Sequence, residues 1–188
     1  RALDTRLGGG LQRGKLHLVA SQTGGGKTTF ASQVADHAAS QGRRVLLFTM
    51  EVDPLDIAIR DTERTARRSR WDLVHGTNEM RQAALEELHD AIGSTIIAHS
   101  GGCAKVMYGS SVSIDEVQRA VMVEGMRLGG PIDLVVVDHA QVVAPGRTKV
   151  ARSGTPSRYI EMKVIAESLR SFARAKGFAC ILTAQMNP

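Results

Sequence analysis

Cysteine and long apolar runs are scarce in this sequence. Only two cysteines, Cys103 and Cys180, occur among its 188 residues. Two isolated cysteines exclude a disulfide scaffold and a CxxC metal knuckle, and they are typical of a protein kept in the reducing cytoplasm. No uncharged apolar run reaches about 18 residues, so the sequence predicts no membrane-spanning helix. No charged segment followed by an apolar one opens the chain, and we therefore expect no secretory signal.

The composition is that of a folded domain with a moderate excess of positive charge. Hydrophobic residues make up 43% of the chain and charged residues 23%, which is enough apolar material for a core. Lys and Arg outnumber Asp and Glu by 24 to 19, which gives a net charge of +5. This excess permits an acidic partner such as nucleic acid or nucleotide without requiring one. We expect residues 1–188 to form a single domain that is truncated at its C-terminus.

Short apolar runs alternate with segments of helical periodicity. The runs predict five strands, over residues 16–20, 45–50, 95–99, 132–138 and 179–184. Most of these runs are continuously apolar, as expected for strands that are covered on both faces. Helices are predicted over about 27–40, after Pro54, over about 78–92, from Ser113 and over about 157–176. The alternation predicts an α/β fold with a mostly parallel, twisted sheet and helices on both faces.

Two segments interrupt the alternation. Residues 100–111 are rich in Gly and Ser and are predicted to form a long loop. Residues 144–158 are predicted to form a second loop, which carries Arg147, Lys149, Arg152 and Arg158 and no acidic residue. Such a basic stretch is either a solvated surface loop or a contact for phosphate groups.

Residues 21–29 (SQTGGGKTT) carry the strongest functional signal and lie between a predicted strand and a predicted helix. Gly26, Lys27 and Thr28 match the end of the phosphate-binding pattern G-x-x-x-x-G-K-[ST], whereas Ser21 replaces its first glycine. Consecutive glycines let several N–H groups point into one concavity, with no Cβ to block a phosphate. The alternative is a glycine-rich turn that happens to precede these residues, and the strand–turn–helix context argues against it.

The segment therefore predicts a site for ATP and Mg²⁺. Lys27 is expected to pair with the β- and γ-phosphates, and the Thr28 hydroxyl is expected to ligate Mg²⁺. The helix that begins near Lys27 adds the unsatisfied N–H groups of its first turn. The predicted nucleotide-binding residues are Ser21, Thr23, Gly24, Gly25, Gly26, Lys27, Thr28 and Thr29.

Three further polar residues follow predicted strands, at the edge where open α/β sheets bind ligands. Asp138 ends an apolar strand and is expected to ligate Mg²⁺ together with Thr28, since triphosphate charge requires a held cation. Glu51 could orient the attacking water as a general base. Gln185 could hydrogen-bond the γ-phosphate and sense hydrolysis. Taken singly, each could also be an ordinary residue at a strand end.

Four motifs in order resemble the RecA-like ATPase domain of the DnaB-type replicative helicases. They are the approach strand GLQRGKL (10–16) with the glycine-rich segment after it, LLFTMEV (46–52), IDLVVVDHAQVV (132–143) and ILTAQMN (181–187). The likeness covers nearly the whole chain. That family commonly lacks the first P-loop glycine, so Ser21 agrees with it. His139 stands where the family has Tyr, and Pro188 stands where it often has Arg.

The resemblance implies a RecA-like P-loop NTPase core that couples ATP hydrolysis to translocation on single-stranded DNA during replication. It implies Glu51 as the catalytic glutamate, Gln185 as the phosphate-sensing amide and a homo-oligomer that is a hexameric ring. It also places the loop at 144–158 towards the central channel of the ring. Flexible basic side chains there, Arg147, Lys149 and Arg152, would hold DNA phosphates without reading bases.

Two other functions are consistent with the same motifs. One is that of another RecA-like ATPase, a strand-exchange recombinase or a KaiC-like protein. The other is that of a nucleotide-dependent loader or regulatory switch that hydrolyses ATP slowly. Glu51 argues against the second alternative, because a switch of that kind needs no efficient catalytic base.

Overall fold

Five strands form the central sheet of a computed structural model that describes residues 2–50, 52, 54–67, 71, 75–83, 85–86, 104–109, 111–145 and 158–186. Every neighbouring pair in this sheet is parallel, and the strand order is β1-β7-β5-β2-β3. The elements in chain order are α1 (Ala2–Arg6), β1 (Leu16–Ser21), α2 (Lys27–Ser40), β2 (Val45–Thr49), α3 (Pro54–Ala66), β3 (Ala104–Tyr108), β4 (Val112–Ser113), α4 (Ile114–Arg127), β5 (Leu134–Asp138), a 3₁₀ turn (Ala140–Val142), β6 (Val143–Ala144), α5 (Arg158–Lys176) and β7 (Ala179–Gln185). β4 and β6 form a separate pair.

Strand β2 contributes to two hydrophobic clusters, one on each face of the sheet. Its side chains alternate, so that Val45 and Leu47 join one cluster while Leu46 and Phe48 join the other. The alanines of α2 cover the first cluster, and their small side chains allow the helix to lie close to the sheet. Helices α4 and α5 cover the second cluster. Both faces are therefore buried, as the apolar runs predicted.

The helices begin and end at residues that the sequence marks. Ser113 caps α4: its Oγ accepts a hydrogen bond from the Glu116 N–H at 3.3 Å, and the Glu116 carboxylate accepts one from the Ser113 N–H at 2.7 Å. Hydrogen bonds from Ser113 to the carboxylate lower the pKa of Glu116. Helix α2 is followed by Gly42 at a φ of +72°, as predicted for a glycine just beyond a helix end. Among the described helices, none is long and apolar enough to cross a membrane.

Most predicted elements are confirmed, and one loop prediction is wrong. Four predicted strands correspond to β1, β2, β5 and β7, whereas the strand predicted over 95–99 lies outside the described residues. Residues 100–111 were expected to form one loop, but residues 104–108 form β3 at the edge of the sheet, in register with β2 from Val45 opposite Ala104 to Thr49 opposite Tyr108. Glycines and serines flank this short strand and obscured its β-forming residues. Of the helix predicted over 78–92, residues 78–83 and 85–86 are helical and the others lie outside the described part.

The ends of the basic segment also differ from the prediction. Residues 144–158 were expected to form a loop, but Ala144 pairs with Ser113 in β6 and Arg158 begins α5. Residues 146–157 lie outside the described residues. In α5, Ile165 and Leu169 are buried as predicted, but Ile160 was expected on the same buried stripe and is 50% exposed. Its turn lies at the start of the helix, before the part that packs on the core.

Candidate nucleotide site at the carboxyl edge of the sheet

The carboxyl ends of four parallel strands bring distant segments of the chain together. Ser21 at the end of β1 is in register with Gln185 at the end of β7, and Thr49 at the end of β2 is in register with Asp138 at the end of β5. Residues 22–26 are exposed at this edge and lead into α2. The edge of the sheet therefore presents an open loop with polar side chains from neighbouring strands beside it.

The phosphate-binding segment has the backbone of an anion cradle. Gly24 and Gly26 have φ values of +76° and +77°, in the left-handed region that favours glycine. Gly26 is the N-cap of α2 and provides no side-chain cap for the helix. The first N–H groups of a helix lack partners within the helix, and together with the helix dipole they attract an anion. The loop is consistent with a bound phosphate group at this point.

Ser21 and Gly25 occupy a common space inside the loop. A Cβ added at Gly25 would clash with the Ser21 Oγ and would lie 2.9 Å from the Ser21 Cβ. The Ser21 hydroxyl donates to the Gln22 carbonyl at 3.1 Å, which keeps it within the turn. The serine that replaces the first glycine of the pattern is therefore accommodated by a glycine four residues later.

Lys27 lies over the loop and binds its carbonyl groups. Its Nζ donates to the Ser21 carbonyl at 3.2 Å and to the Gln22 carbonyl at 3.0 Å. Thr29 follows two residues later in the exposed first turn of α2. The ammonium group of Lys27 is thus held at the mouth of the cradle by neutral acceptors, which phosphate oxygens can replace with a stronger, charge-assisted interaction.

Thr28 and Asp138 are in direct contact, although 110 residues separate them along the chain. The Thr28 Oγ1 donates to the Asp138 Oδ2 at 2.7 Å, and Asp138 is only 1% exposed. Within the described residues there is no group of three or more His, Cys, Asp and Glu side chains that could hold a metal ion. One hydroxyl and one carboxylate nevertheless suit Mg²⁺, because this ion usually takes few protein ligands and completes its shell with phosphates and water.

Thr183 holds the second oxygen of the Asp138 carboxylate. Its Oγ1 donates to the Asp138 Oδ1 at 2.6 Å and accepts a hydrogen bond from the His139 N–H at 2.7 Å. Sequence reasoning missed this residue. The available signal was a hydroxyl inside the otherwise apolar strand β7, where a buried polar group needs a partner.

Gln185 contacts the phosphate-binding loop directly. Its Nε2 donates to the Thr23 Oγ1 at 2.6 Å. Its backbone is bound by Gln141, whose Nε2 donates to the Gln185 carbonyl at 2.7 Å and whose Oε1 accepts from the Gln185 N–H at 3.2 Å. Gln141 had no role assigned from the sequence, although it lies in one of the four motifs. Gln185 thus joins the loop to the turn after β5.

Four predicted site residues lie outside the described part of the chain. They are Glu51, Arg147, Lys149 and Arg152. The flanks of Glu51 are described: the Thr49 Oγ1 donates to the Val52 carbonyl at 2.9 Å and accepts from the Val52 N–H at 3.3 Å. This pair closes the turn that follows β2. The roles of these four residues stay predictions.

A parallel α/β sheet with a glycine-rich loop between β1 and α2, and an aspartate at the end of β5, defines a P-loop NTPase domain. The profile of the DnaB-like helicase C terminal domain matches residues 1–188. The chain belongs to this family. The predicted resemblance is confirmed, and the family is one of nucleotide-binding ATPases whose helicases act on DNA.

Several relatives are similar to this chain over part of their own length. The replicative DNA helicase DnaB of Pasteurella multocida is 27% identical over 188 residues, which cover 99% of this chain and 38% of that protein. The DnaB of Synechocystis sp. is 27% identical over 183 residues, which cover 95% and 19%. The DNA repair protein RadA of Campylobacter jejuni is 35% identical over 98 residues, which cover 52% and 22%. The chain thus spans between 19% and 38% of the length of these three relatives.

Solved structures confirm the fold. The structure of a DnaB-like replicative helicase, described with its interactions with primase, has a TM-score of 0.82 at 19% identity, with 99% of this chain and 43% of that chain covered. A second solved structure, of an isolated ATPase domain, has the same TM-score and identity, with 99% and 62% covered. The predicted RecA-like arrangement of a parallel sheet flanked by helices is therefore correct.

Proposed function

We propose that this chain is the ATP-hydrolysing motor domain of a replicative DNA helicase that moves along single-stranded DNA. The observation that carries the proposal is the contact between Thr28 and Asp138 at 2.7 Å. It joins the phosphate-binding loop to a carboxylate on a different strand, as magnesium–nucleotide chemistry requires. Family membership supports the same activity.

In this proposal the N–H groups of residues 24–28 and the Lys27 ammonium hold the β- and γ-phosphates. Thr28 and Asp138 would hold Mg²⁺, one through its hydroxyl group and the other through its carboxylate. When bound, Mg²⁺ neutralises phosphate charge and favours in-line attack on the γ-phosphorus. Thr183 keeps the Asp138 carboxylate oriented, since it occupies one carboxylate oxygen and leaves the other towards Thr28.

Glu51 acts as the general base in this proposal, and Gln185 acts as the residue that senses the γ-phosphate. A carboxylate at the carboxyl end of a strand can accept a proton from the attacking water, and this water then attacks the terminal phosphorus. The amide of Gln185 already reaches Thr23 of the loop at 2.6 Å. Exchange of this partner for a phosphate oxygen would register the presence of ATP.

The proposed partner is single-stranded DNA, held in a homo-oligomeric, hexameric ring that acts in the cytoplasm. The support lies in the family and in the basic segment, which carries Arg147, Lys149 and Arg152 without a compensating acid. Flexible cations bind the phosphate backbone independently of sequence. This segment follows β6 directly, so it begins close in sequence to Asp138 of the nucleotide site.

A DNA repair ATPase is the second candidate, because RadA of Campylobacter jejuni is 35% identical to part of this chain. That match covers 52% of the chain, whereas the DnaB of Pasteurella multocida matches 99% of it. The shared region is explained by a common nucleotide-binding core. The wider match favours the helicase.

The DNA-binding part of the proposal is tested with the triple variant Arg147→Ala, Lys149→Ala, Arg152→Ala in the full-length protein. Oligonucleotide affinity should fall for all sequences alike. The slope of log K against log salt should become shallower by about 2, since each phosphate contact to a single strand contributes about 0.7. The measurement is a salt titration of binding to labelled single strands, with ATP affinity measured in parallel and expected to stay unchanged.

A second triple variant controls for the loss of charge. Lys163→Ala, Arg170→Ala and Arg174→Ala remove the same charge from three exposed positions of α5. This variant should retain the wild-type salt slope. Equal slopes for wild type and the first variant would show that the basic segment is a solvated surface, and equal losses in both variants would reduce the effect to net charge.

A further inference from the structure

The last residues of β7 lose their strand neighbour on one side. The register of β5 with β7 runs from Leu134 opposite Ala179 to Val137 opposite Leu182. Beyond it the chain leaves the sheet, because His139 takes a φ of +78° and starts the 3₁₀ turn. The edge of β7 beyond Leu182 is thus no longer paired with the backbone of β5.

A side chain replaces the missing strand at Gln185. The amide of Gln141 donates to the Gln185 carbonyl at 2.7 Å and accepts from the Gln185 N–H at 3.2 Å. An amide side chain carries the same donor and acceptor as a peptide group, so it can continue the ladder by one rung. On its other side Gln185 is in register with Ser21 of β1, and the Met186 N–H donates to the Ser21 carbonyl at 3.0 Å. The Gln185 backbone is therefore fixed from both sides.

We propose that Gln141 is a positioning residue, which fixes the Gln185 backbone so that the Gln185 amide reaches the phosphate-binding loop. This proposal rests on the proposed function of Gln185. The Gln185 Nε2 contacts the Thr23 Oγ1 at 2.6 Å, and this reach depends on where its backbone is held. Gln141 acts on hydrolysis only through Gln185.

The same side chain links the nucleotide site to the start of the basic segment. Gln141 lies in the 3₁₀ turn between Asp138 and β6, and β6 leads into residues 146–157. A displacement of Gln185 on phosphate binding or release therefore reaches this turn through two hydrogen bonds. Loss of Gln141 should weaken the acceleration of hydrolysis by DNA more than hydrolysis without DNA.

The test is a double-mutant cycle of Gln141→Leu and Gln185→Ala in the full-length protein. Leucine keeps much of the volume of glutamine and removes both hydrogen-bonding groups. DNA-stimulated turnover of ATP should fall about tenfold in Gln141→Leu, since a small misplacement of an active-site group has an effect of this order or larger. ATP affinity should stay within about twofold, because the contacts of Gln141 avoid the loop. The double variant should turn over no more slowly than Gln185→Ala alone, since residues that act as a unit are not additive.

Gln41→Leu is the matched control. Gln41 is exposed at the C-terminal end of α2, and the 14 residues of this helix separate it from the phosphate-binding loop by about 20 Å. This variant should retain wild-type turnover. If Gln141→Leu does not fold, Gln141→Glu is used in the same cycle, because it keeps the acceptor for the Gln185 N–H and loses only the donor.

Hydrogen exchange of the Gln185 amide provides a readout that is independent of activity. It should become faster in Gln141→Leu, while exchange of the β1 amides stays unchanged. Unchanged exchange at Gln185, wild-type turnover in Gln141→Leu or additive losses in the cycle would each overturn the proposal. If Gln185→Ala itself hydrolyses ATP like the wild type, the sensing role of Gln185 is wrong, and the exchange measurement still decides whether Gln141 holds its backbone.

Discussion

At the scale of single residues, the phosphate-binding loop depends on a pair of small side chains. Gly25 has no positive φ that would require glycine, in contrast to Gly24 and Gly26. Its constraint is the Ser21 side chain, whose Oγ and Cβ would both clash with an added Cβ, the Ser21 Cβ at 2.9 Å. Rotation of the hydroxyl can relieve the first clash but not the second. Ser21 and Gly25 are therefore coupled, and a change at one alters what the other position tolerates.

Gly25→Ala should distort the loop, with a loss of stability of about 1–3 kcal/mol as for other overpacked sites, and it should weaken ATP binding. Adding Ser21→Gly removes both clashing atoms and should restore most of the loss. ATP affinity and urea unfolding of the two single variants and the double variant measure this coupling.

Gly109→Ala is the control for Gly25→Ala, since its added Cβ would meet only the Ser111 carbonyl at 3.5 Å. It should bind ATP normally. If Ser21→Gly brings no recovery to Gly25→Ala, the glycine is needed for a reason other than the serine.

At the scale of elements, α4 is joined to the β4–β6 pair through its first residue. Ser113 ends β4 and is also the N-cap of α4, where it exchanges hydrogen bonds with Glu116. The helix start is therefore fixed to the strand that pairs with β6, and β6 leads into the basic segment. Because the Ser113 bonds lower the pKa of Glu116, they favour its ionised form in the folded protein.

Ser113→Ala should lower the free energy of unfolding by about 1 kcal/mol at pH 7, the usual effect of losing a cap. The folded pKa of Glu116 is depressed, so its contribution is present above the ordinary glutamate value of 4.5 and is lost as the pH falls through the lowered folded pKa. The difference between wild type and variant should therefore shrink below about pH 4.5. Urea unfolding at pH 7 and at a series of acidic values measures it.

Ser171→Ala is the control for the cap, because Ser171 is an exposed residue in the interior of α5. This substitution should change stability little. A Ser113→Ala effect that is the same at every pH would show that Glu116 contributes nothing to the cap.

Local signals predicted the capping box, and a general rule on parallel sheets predicted the meeting of Thr28 and Asp138. The serine and glutamate of the cap are three residues apart, so their contact follows from helix geometry. Strand β3 was missed because its pairing with β2 is non-local and its flanks are rich in turn residues. The contacts of Thr183 with Asp138 and of Gln141 with Gln185 were also missed, since they depend on the reach of side chains between segments 44 and 45 residues apart.

At the scale of the whole molecule, the sheet order determines which segments meet. β1, β7, β5 and β2 are adjacent although they come from distant parts of the sequence. Their carboxyl ends therefore place the loop at 21–29, Gln185 and Asp138 side by side, and the two hydrophobic clusters fix this edge from both faces. The nucleotide site is thus a product of topology, which explains why its residues are dispersed along the chain.

The most direct test of the account is ATP turnover by the full-length protein with and without single-stranded DNA, measured together with ATP binding. The wild type should hydrolyse ATP and accelerate with DNA. Lys27→Ala should lose binding and turnover, because its ammonium is the charge at the mouth of the cradle. Glu51→Gln should bind ATP but lose most turnover, because it keeps the size of the side chain and removes its basicity. Unchanged ATP binding and turnover in Lys27→Ala would contradict the account at its centre.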